Sequence, residues 1–486
     1  MRKILVLLFV LPLFGMSQHI DITDELFSNY ESYKEPTIKT RRFKHQDIQP
    51  LIEKLNIDSD FQINILGNSI QGRSITMISI GKGKTNILLW SQMHGDESTA
   101  TMAIFDILNY LKQNKEILNN ITIHFIPMLN PDGAEKFTRR NAIGIDINRD
   151  AVRLQSPESK ILKAVRDSLN ADFGFNLHDQ SKYYNAERTE KPATISYLAP
   201  AYNYEKSINT TRANAMKIIV QMNSVIQQYA PGQVGRYSDD FEPRAFGDNI
   251  QKWGTSTILI ESGGYKGDPE KQFIRKLNYV SILAAIHSIS TGNFKNISIE
   301  EYNSIPKNDR KLFDVKINNL TFSYLGKDYT VDLGIQNLES DNNTHTDFYN
   351  IGRIMDIGDL STFYGYQTLD AKEMSFKVGE TYPKIISNFE EFKKLDIKSL
   401  LEKGYTTVSI DSLPDEIKFV QYPINIVDIR KISIPKNNKI PKPPIRLGKN
   451  PTFLLTKNDI VVYAIINGFV YDLLNNENGI KNGIVK

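Results

Sequence analysis

Apolar positions in the first 290 or so residues alternate between two periods. Ile87–Trp90, Ile121–Ile126, Phe173–Leu177 and Ile258–Ile260 are short, apolar, and partly β-branched or aromatic. Such runs predict strands buried on both faces. Helical spacing lies between them. Ala100, Ile104, Ile107, Leu108 and Leu111 share one helix face. Ser156 predicts an N-cap with Pro157 at the first position, and Ile161, Leu162, Val165 and Leu169 then point inward. Alternation of this kind predicts an α/β sheet layered by helices over residues 43–295. The pattern changes after about Gly292. Asn, Lys and Asp rise, and alternating stretches appear at Tyr329–Ile335 and Ile460–Val470. Pro435, Pro441, Pro443 and Pro444 exclude a helix interior there. A smaller β-rich accessory domain is predicted over 305–486.

The N-terminus follows a third pattern. Arg2 and Lys3 precede an apolar run from Ile4 to Phe14, followed by the small residues Gly15 and Ser17. That charge, core and cleavage order predicts an export signal over residues 1–17, with 18–42 as an N-terminal extension. The apolar run is shorter than the roughly 20 residues that span a bilayer. No stable membrane insertion is therefore expected after cleavage, and the mature protein is expected in the periplasm or secreted. Losing Arg2 and Lys3 takes 59 basic residues to 57, against 56 acidic. Near-neutrality gives no basic stripe for nucleic acid. The chain has no cysteine, so a disulfide framework is excluded and any transition metal needs His and carboxylate ligands.

Polar residues cluster just beyond the predicted strands. Trp90 leads to Ser91-Gln-Met-His94-Gly-Asp-Glu97, and Ile126 leads to Asn130-Pro-Asp-Gly133. Leu177 is followed directly by His178, and Ile260 by Glu261. Ligands in open α/β sheets bind beyond the carboxyl ends of the strands. His94 and Glu97, three apart where a strand meets a helix, can face one point. A third ligand from another strand would complete a catalytic zinc set and leave the fourth position to water.

These motifs, with Gly67-Asn-Ser-Ile-Gln-Gly72-Arg73 upstream and Thr138-Arg139-Arg140-Asn141-Ala-Ile-Gly144-Ile-Asp146-Ile-Asn148-Arg149 downstream, resemble the zinc carboxypeptidase family. The resemblance covers about 43–290, with five elements in the family's order. It implies a mixed central sheet flanked by helices and one zinc ion per chain, held by His94, Glu97 and His178. It also implies Glu261 as general base and then acid, and Arg139, with Arg140 as its neighbouring alternative, at the oxyanion. Asn148 and Arg149 would grip the substrate's terminal carboxylate, for which a guanidinium fork is well shaped. Asp146 would orient a ligand His, and Tyr237 is the nearest candidate for the family's substrate-side tyrosine. Asp96 and Asp132 read as turn residues, and His124, in mid-strand, as structural.

The implied partner is a peptide with a free C-terminal carboxylate, whose last amide bond is hydrolysed by zinc-activated water. The interval of 81 from Glu97 to His178 is shorter than in the digestive branch and resembles bacterial branches. An amidase of peptidoglycan stem peptides or other amide conjugates is the alternative within hydrolases. A catalytically inactive recognition protein is the alternative outside them, and the presence of every residue the mechanism needs argues against it.

Overall fold

The four apolar runs form the centre of one sheet. A computed structural model describes residues 22–414, 421–431, 442–475 and 479–485. The predicted signal (1–17), Pro435 and Pro441 lie outside the described residues. In chain order the strands are β1 (Phe61–Asn68), β2 (Ser74–Gly81), β3 (Thr85–Ser91), β4 (Ile121–Ile126), β5 (Phe173–Asp179), the short β6 (Asn185–Ala186), β7 (Ile195–Leu198), β8 (Val234–Arg236) and β9 (Ser256–Ser262). Their order across the sheet is β1-β2-β4-β3-β5-β9-β7-β8, with β6 outside it. The four inner strands β4, β3, β5 and β9 run parallel, while β2 and β7 flank them antiparallel. The sheet is therefore mixed, as the resemblance implied.

Side chains alternate between two apolar layers. Ile87, Leu89, Phe175, Leu177, Ile258 and Ile260 pack on one face with helices α1 (Ile22–Ser28), α2 (His45–Asn56), α3 (Thr99–Gln113), α6 (Thr210–Tyr229) and α8 (Gln272–Thr291). Leu88, Trp90 and Ile126 pack on the other with α5 (Pro157–Leu169) and α7 (Phe246–Lys252). Between α3 and α5 lies the short α4 (Pro131–Glu135). Ser156 caps α5 as predicted, its hydroxyl accepting from the Ser159 amide, and Asn170 ends that helix in the left-handed region at φ 43°. Helix α3 is buried beyond its predicted stripe, since Met102, Ala103 and Phe105 are also covered. No described helix is long and apolar enough to cross a membrane.

Residues 22–42 are stitched into this core. Arg275 of α8 and Asp106 of α3 form a two-pronged ion pair, with Nε–Oδ2 2.7 Å and Nη2–Oδ1 2.5 Å, and both side chains are fully buried. Asp106 also accepts from the Tyr30 hydroxyl and the Glu35 amide, while Arg275 donates to the carbonyls of Glu35 and Ile38. Every strong polar group of the pair is thus matched, which a buried charge requires.

At its far end the catalytic-type layer continues through α9 (Glu300–Ser304), whose Tyr302 is buried in the same core. Strand β10 (Asn308–Asp309) then pairs with β6. The β-rich region follows: β11 (Leu312–Tyr324), β12 (Lys327–Asp341), β13 (Phe348–Gly358), β14 (Tyr364–Asp370) and β15 (Ser375–Val378) join β19 (Phe453–Lys457), β20 (Ile460–Ile466) and β21 (Phe469–Asp472) in one eight-stranded sheet. Strands β16 (Glu380–Thr381), β17 (Tyr405–Ile410) and β18 (Asn425–Asp428) form a small parallel sheet beside it. The stretch 460–470, predicted as one alternation, is a hairpin that turns at Asn467 and Gly468, both at positive φ. Ion pairs fasten this region to the first, Lys182 to Asp314, Arg41 to Glu339 and Arg42 to Asp341, with Arg42 between the Phe137 and Phe348 rings, and the Tyr183 hydroxyl also donates to Asp314.

Replacing Arg275 with Met leaves the Asp106 charge buried and alone. We expect a loss of about 3–5 kcal/mol from the unfolding transition of the first domain in urea. A change below about 1 kcal/mol would show that the pair is not what ties residues 30–38 down.

Candidate active site

Backbone contact between two turns builds the site. Gln92, just past β3, adopts the left-handed region at φ 46°, and its carbonyl accepts from the Asn130 amide at 2.8 Å. Local strain of this kind is usual where a chain is bent to present functional groups. Gly95 then lies so close to the Gly133 backbone that a Cβ would come within 2.0 Å of it, while a Cβ on Gly133 would meet Asn130 and the carbonyls of Thr138 and Arg140, so the crossing of the two turns needs glycine at both positions. Asn130 closes its own turn by accepting from the Gly133 amide. Asp132 accepts from Ser69, Gln71 and Arg73, holding the upstream Gly67–Arg73 turn to the same corner.

Three donor atoms converge there. His94 Nδ1 lies 2.8 Å from Glu97 Oε1, His178 Nδ1 lies 2.6 Å from Glu97 Oε2, and the two imidazole nitrogens are 3.2 Å apart. His94 and His178 are almost fully buried, and Glu97 nearly so. His94 Nε2 is held at 3.1 Å by Asp146 Oδ1, so in the neutral, ligating form its proton resides on that nitrogen and the Nδ1 lone pair faces the cluster. Two imidazole lone pairs and a carboxylate aimed at one point form the His, His, Glu donor set that suits zinc. Among the described residues this is the one such grouping.

Charge follows the same geometry. Burial disfavours the charged form of His94, but Glu97 and Asp146 outweigh it and push the imidazole up to about 9. Burial likewise works against ionised Glu97, yet the facing imidazoles hold its carboxyl well below the usual range. Burial lowers His178 below the usual imidazole range, outweighing the opposing pull of Glu97. Asp146 is also held low, despite its own burial, by His94 and Arg139.

Glu261 stands directly beside His178 in the β5–β9 register. Burial, reinforced by the negative charge of Glu97, raises its carboxyl well above the usual range. Arg139 donates to Asp146 Oδ2 (3.0 Å) and reaches Glu97 Oε1 (3.3 Å), placing its guanidinium against the donor cluster. Arg140 is exposed and donates to the Gly144 carbonyl instead. The Asp146 carboxylate accepts from the Asn148 amide as well, so the ligand support and the Asn148–Arg149 pair share one turn. Asn148 Oδ1 accepts from the Phe246 amide, and Arg149 faces Glu242 at 3.5 Å. Tyr237 lies near Glu261, which, after burial, is the strongest influence keeping its phenol protonated.

Some neighbours had no sequence signal. Tyr184 hydrogen-bonds with Tyr237 and packs on it at 5.7 Å between ring centroids. Glu242 links Arg149 to Arg244, accepting both Nε (3.0 Å) and Nη2 (2.9 Å) of the latter. Both residues sit in loops whose partners are distant in sequence. Asp96, read as a turn residue, has its carboxyl pushed up to about 6 by burial and by Glu97 next door. His124 is structural as read: it bonds Ser79 and Asn86, and burial lowers it to about 4.

A buried three-donor metal centre with an adjoining carboxylate, at the strand ends of a mixed α/β sheet, defines the class of a metal-dependent hydrolase site. Residues 51–196 match the family model described as "Zinc carboxypeptidase". It is 26% identical over 175 residues to carboxypeptidase SOL1 of Arabidopsis thaliana, covering 28% of this chain and 35% of that protein. A Zymomonas mobilis protein of uncharacterised role is 26% identical over 144 residues, covering 28% of this chain and 37% of that protein. The chain thus spans about a third of the length of the curated relatives it matches. Similar solved structures include a metallo-carboxypeptidase from Burkholderia cenocepacia, with 16% identity, TM-score 0.41, and coverage of 52% of this chain and 70% of that one. Carboxypeptidase A from Helicoverpa armigera gives 15% identity and TM-score 0.43, covering 56% and 81%.

Because a metal must displace the His94 proton, zinc loading at pH 7 should release roughly one proton. Calorimetry in buffers of different ionisation enthalpy measures that number. Asp146→Asn should weaken zinc binding about 10–100-fold in a chelator competition. Unchanged affinity would remove Asp146 from the support of His94.

Proposed function

We propose that this protein is an exported zinc-dependent carboxypeptidase that removes the C-terminal residue of peptides. The observation that carries this reading is the register of His178 with Glu261, which sets a proton-accepting carboxylate beside the His94, Glu97, His178 donor set. Zinc bound by those three residues supplies Lewis acidity that brings the pKa of water toward 7. Glu261 takes the proton of the attacking water and returns it to the leaving amine. Its neighbourhood suits both duties: burial favours the protonated acid, while a cation at the donor set would favour the carboxylate. Arg139 polarises the scissile carbonyl and offsets the charge that develops on its oxygen.

Substrate recognition rests on Asn148 and Arg149. Arg149 already faces a carboxylate, that of Glu242, so the position is suited to an anion and a substrate's terminal carboxylate would compete for it. Tyr237, with Tyr184 behind it, borders Glu261 from β8's side of the cleft and suits contact with the substrate backbone. Export is supported by the Arg2-Lys3 and Ile4–Phe14 pattern. Fractionation of the producing cells tests it: accumulation in the cytoplasm with the N-terminus intact would rule export out.

Glu261→Gln keeps the shape and removes the base. Its kcat should fall about 10²–10⁴-fold while zinc binding is retained. In the unaltered, zinc-loaded protein kcat/KM should decline toward acid pH as Glu261 takes up its proton and ceases to act as a base. Peptides with an amidated C-terminus should be resistant; cleavage of them at the rate of free acids would sink the carboxypeptidase reading.

A further inference from the structure

A cleft of about 550 Å³ lies beside the donor cluster, between the strand ends and the β-rich region. One wall follows the catalytic strands. Gln180 and Gly263, which line it, stand two residues beyond His178 and Glu261. The other wall belongs to the β-rich region and presents Leu338, Phe348, Tyr366 and Phe469, facing Tyr183 and Tyr265. Its volume falls within the roughly 300–1,000 Å³ of ligand pockets.

Its position relative to Arg149 gives it a direction. Asn148 and Arg149 lie on the α5/α7 face, where Asn148 accepts from the Phe246 amide. The cleft lies toward the α3/α8 face: Arg41, which lines it, accepts from Ser98 at the start of α3, and Lys271 directly precedes α8. A peptide whose carboxylate is held on the first face and whose last amide lies at the donor cluster leaves toward the second. Charge then narrows the occupant. Arg41 is paired with Glu339, Lys182 with Asp314 and Lys271 with Asp179, at 2.6, 2.7 and 3.0 Å. Lys266 is exposed at the mouth. With those three pairs closed and Lys266 outside them, the cleft's main attraction is its apolar and aromatic surface.

We infer that the β-rich domain is a specificity element: with the catalytic strands it binds the few residues preceding the scissile bond, and it selects apolar side chains there. This rests on the carboxypeptidase reading above and goes beyond it in assigning the second domain to the substrate.

The test is a peptide series with one fixed C-terminal residue and one to four upstream residues, either Leu/Phe or Ser/Gly. We expect kcat/KM to rise at least about tenfold along the apolar series, equivalent to burying roughly two methylene groups, and to stay flat along the polar one. Leu338→Asp and, separately, Phe348→Ser should flatten the apolar rise, lowering the ratio of longest to shortest substrate. Binding is read independently with zinc-loaded Glu261→Gln and a fluorescent apolar pentapeptide by anisotropy, where Leu338→Asp should weaken binding about tenfold. Cleavage that ignores length and polarity would overturn the inference, as would wall variants that slow short and long substrates equally. If no peptide is cut, the carboxypeptidase reading fails, and the anisotropy measurement decides the cleft by itself: binding of the apolar peptide, lost in Leu338→Asp, supports it. Binding of amino-sugar oligomers with none of the apolar peptide overturns it.

Discussion

A buried anion, Glu97, is the constraint to which the rest of the site answers. A carboxylate out of water needs compensation from several directions. His94 and His178 supply it on one side and Arg139 on another. Each of these is itself held: His94 by Asp146, Arg139 by the other oxygen of Asp146, and His178 by its place in β5. The same negative charge reaches Glu261 and raises its affinity for a proton. Asp146 thus stabilises a ligand and an arginine with one side chain, and through the Asn148 amide it fixes the turn that carries Arg149. The donor set, Arg139 and the Asn148–Arg149 turn are thus mechanically one unit, so damage at Asp146 should spread to all three.

Much of this was legible because strand ends are local features. An apolar run followed at once by His178 or Glu261 announces both the strand and what it delivers, and a glycine-rich turn after Trp90 announces a sharp bend. The mixed sheet, the donor set and the choice of Ser156 as a cap required only neighbours in sequence or a resemblance carried by ordered motifs. Asn148 and Arg149 were readable as a pair, but Glu242 as their partner was not. It depends on the 242–245 loop and the start of α7 folding back onto residues 148 and 149 across almost a hundred positions. Tyr184 eluded sequence reading for the same reason. The choice between Arg139 and Arg140 needed coordinates, because adjacent residues in a turn diverge by a rotation that spacing does not encode.

The β-rich region shows the sharper limit of reading by pattern. Alternation gave its strands, yet 460–470 bends into a hairpin where Asn467 and Gly468 take positive φ, and three short strands pair in parallel through connections that alternation cannot foresee. Its relation to the first domain depends on side chains scattered over the chain: Arg41 and Arg42 near one end, Lys182 and Tyr183 in the middle, Asp314, Glu339 and Asp341 beyond. No window of sequence contains that interface.

That interface also explains why the boundary between the domains is not a plain linker. Asn308 donates to Gln180 and accepts from Ser196, and Ser196 is the register partner of Glu261 on β7. Strand β10 pairs with β6, next to Tyr184, and the Arg236 amide, one residue before Tyr237, donates to the Pro306 carbonyl. Residues 306–309 therefore brace the strands and the tyrosines that border Glu261, while residues from 312 onward supply the outer wall of the cleft. A free hinge would let the wall drift and loosen that bracing. Several well-formed contacts, each modest, instead fix its position relative to the strand ends, as a substrate-positioning element must be fixed.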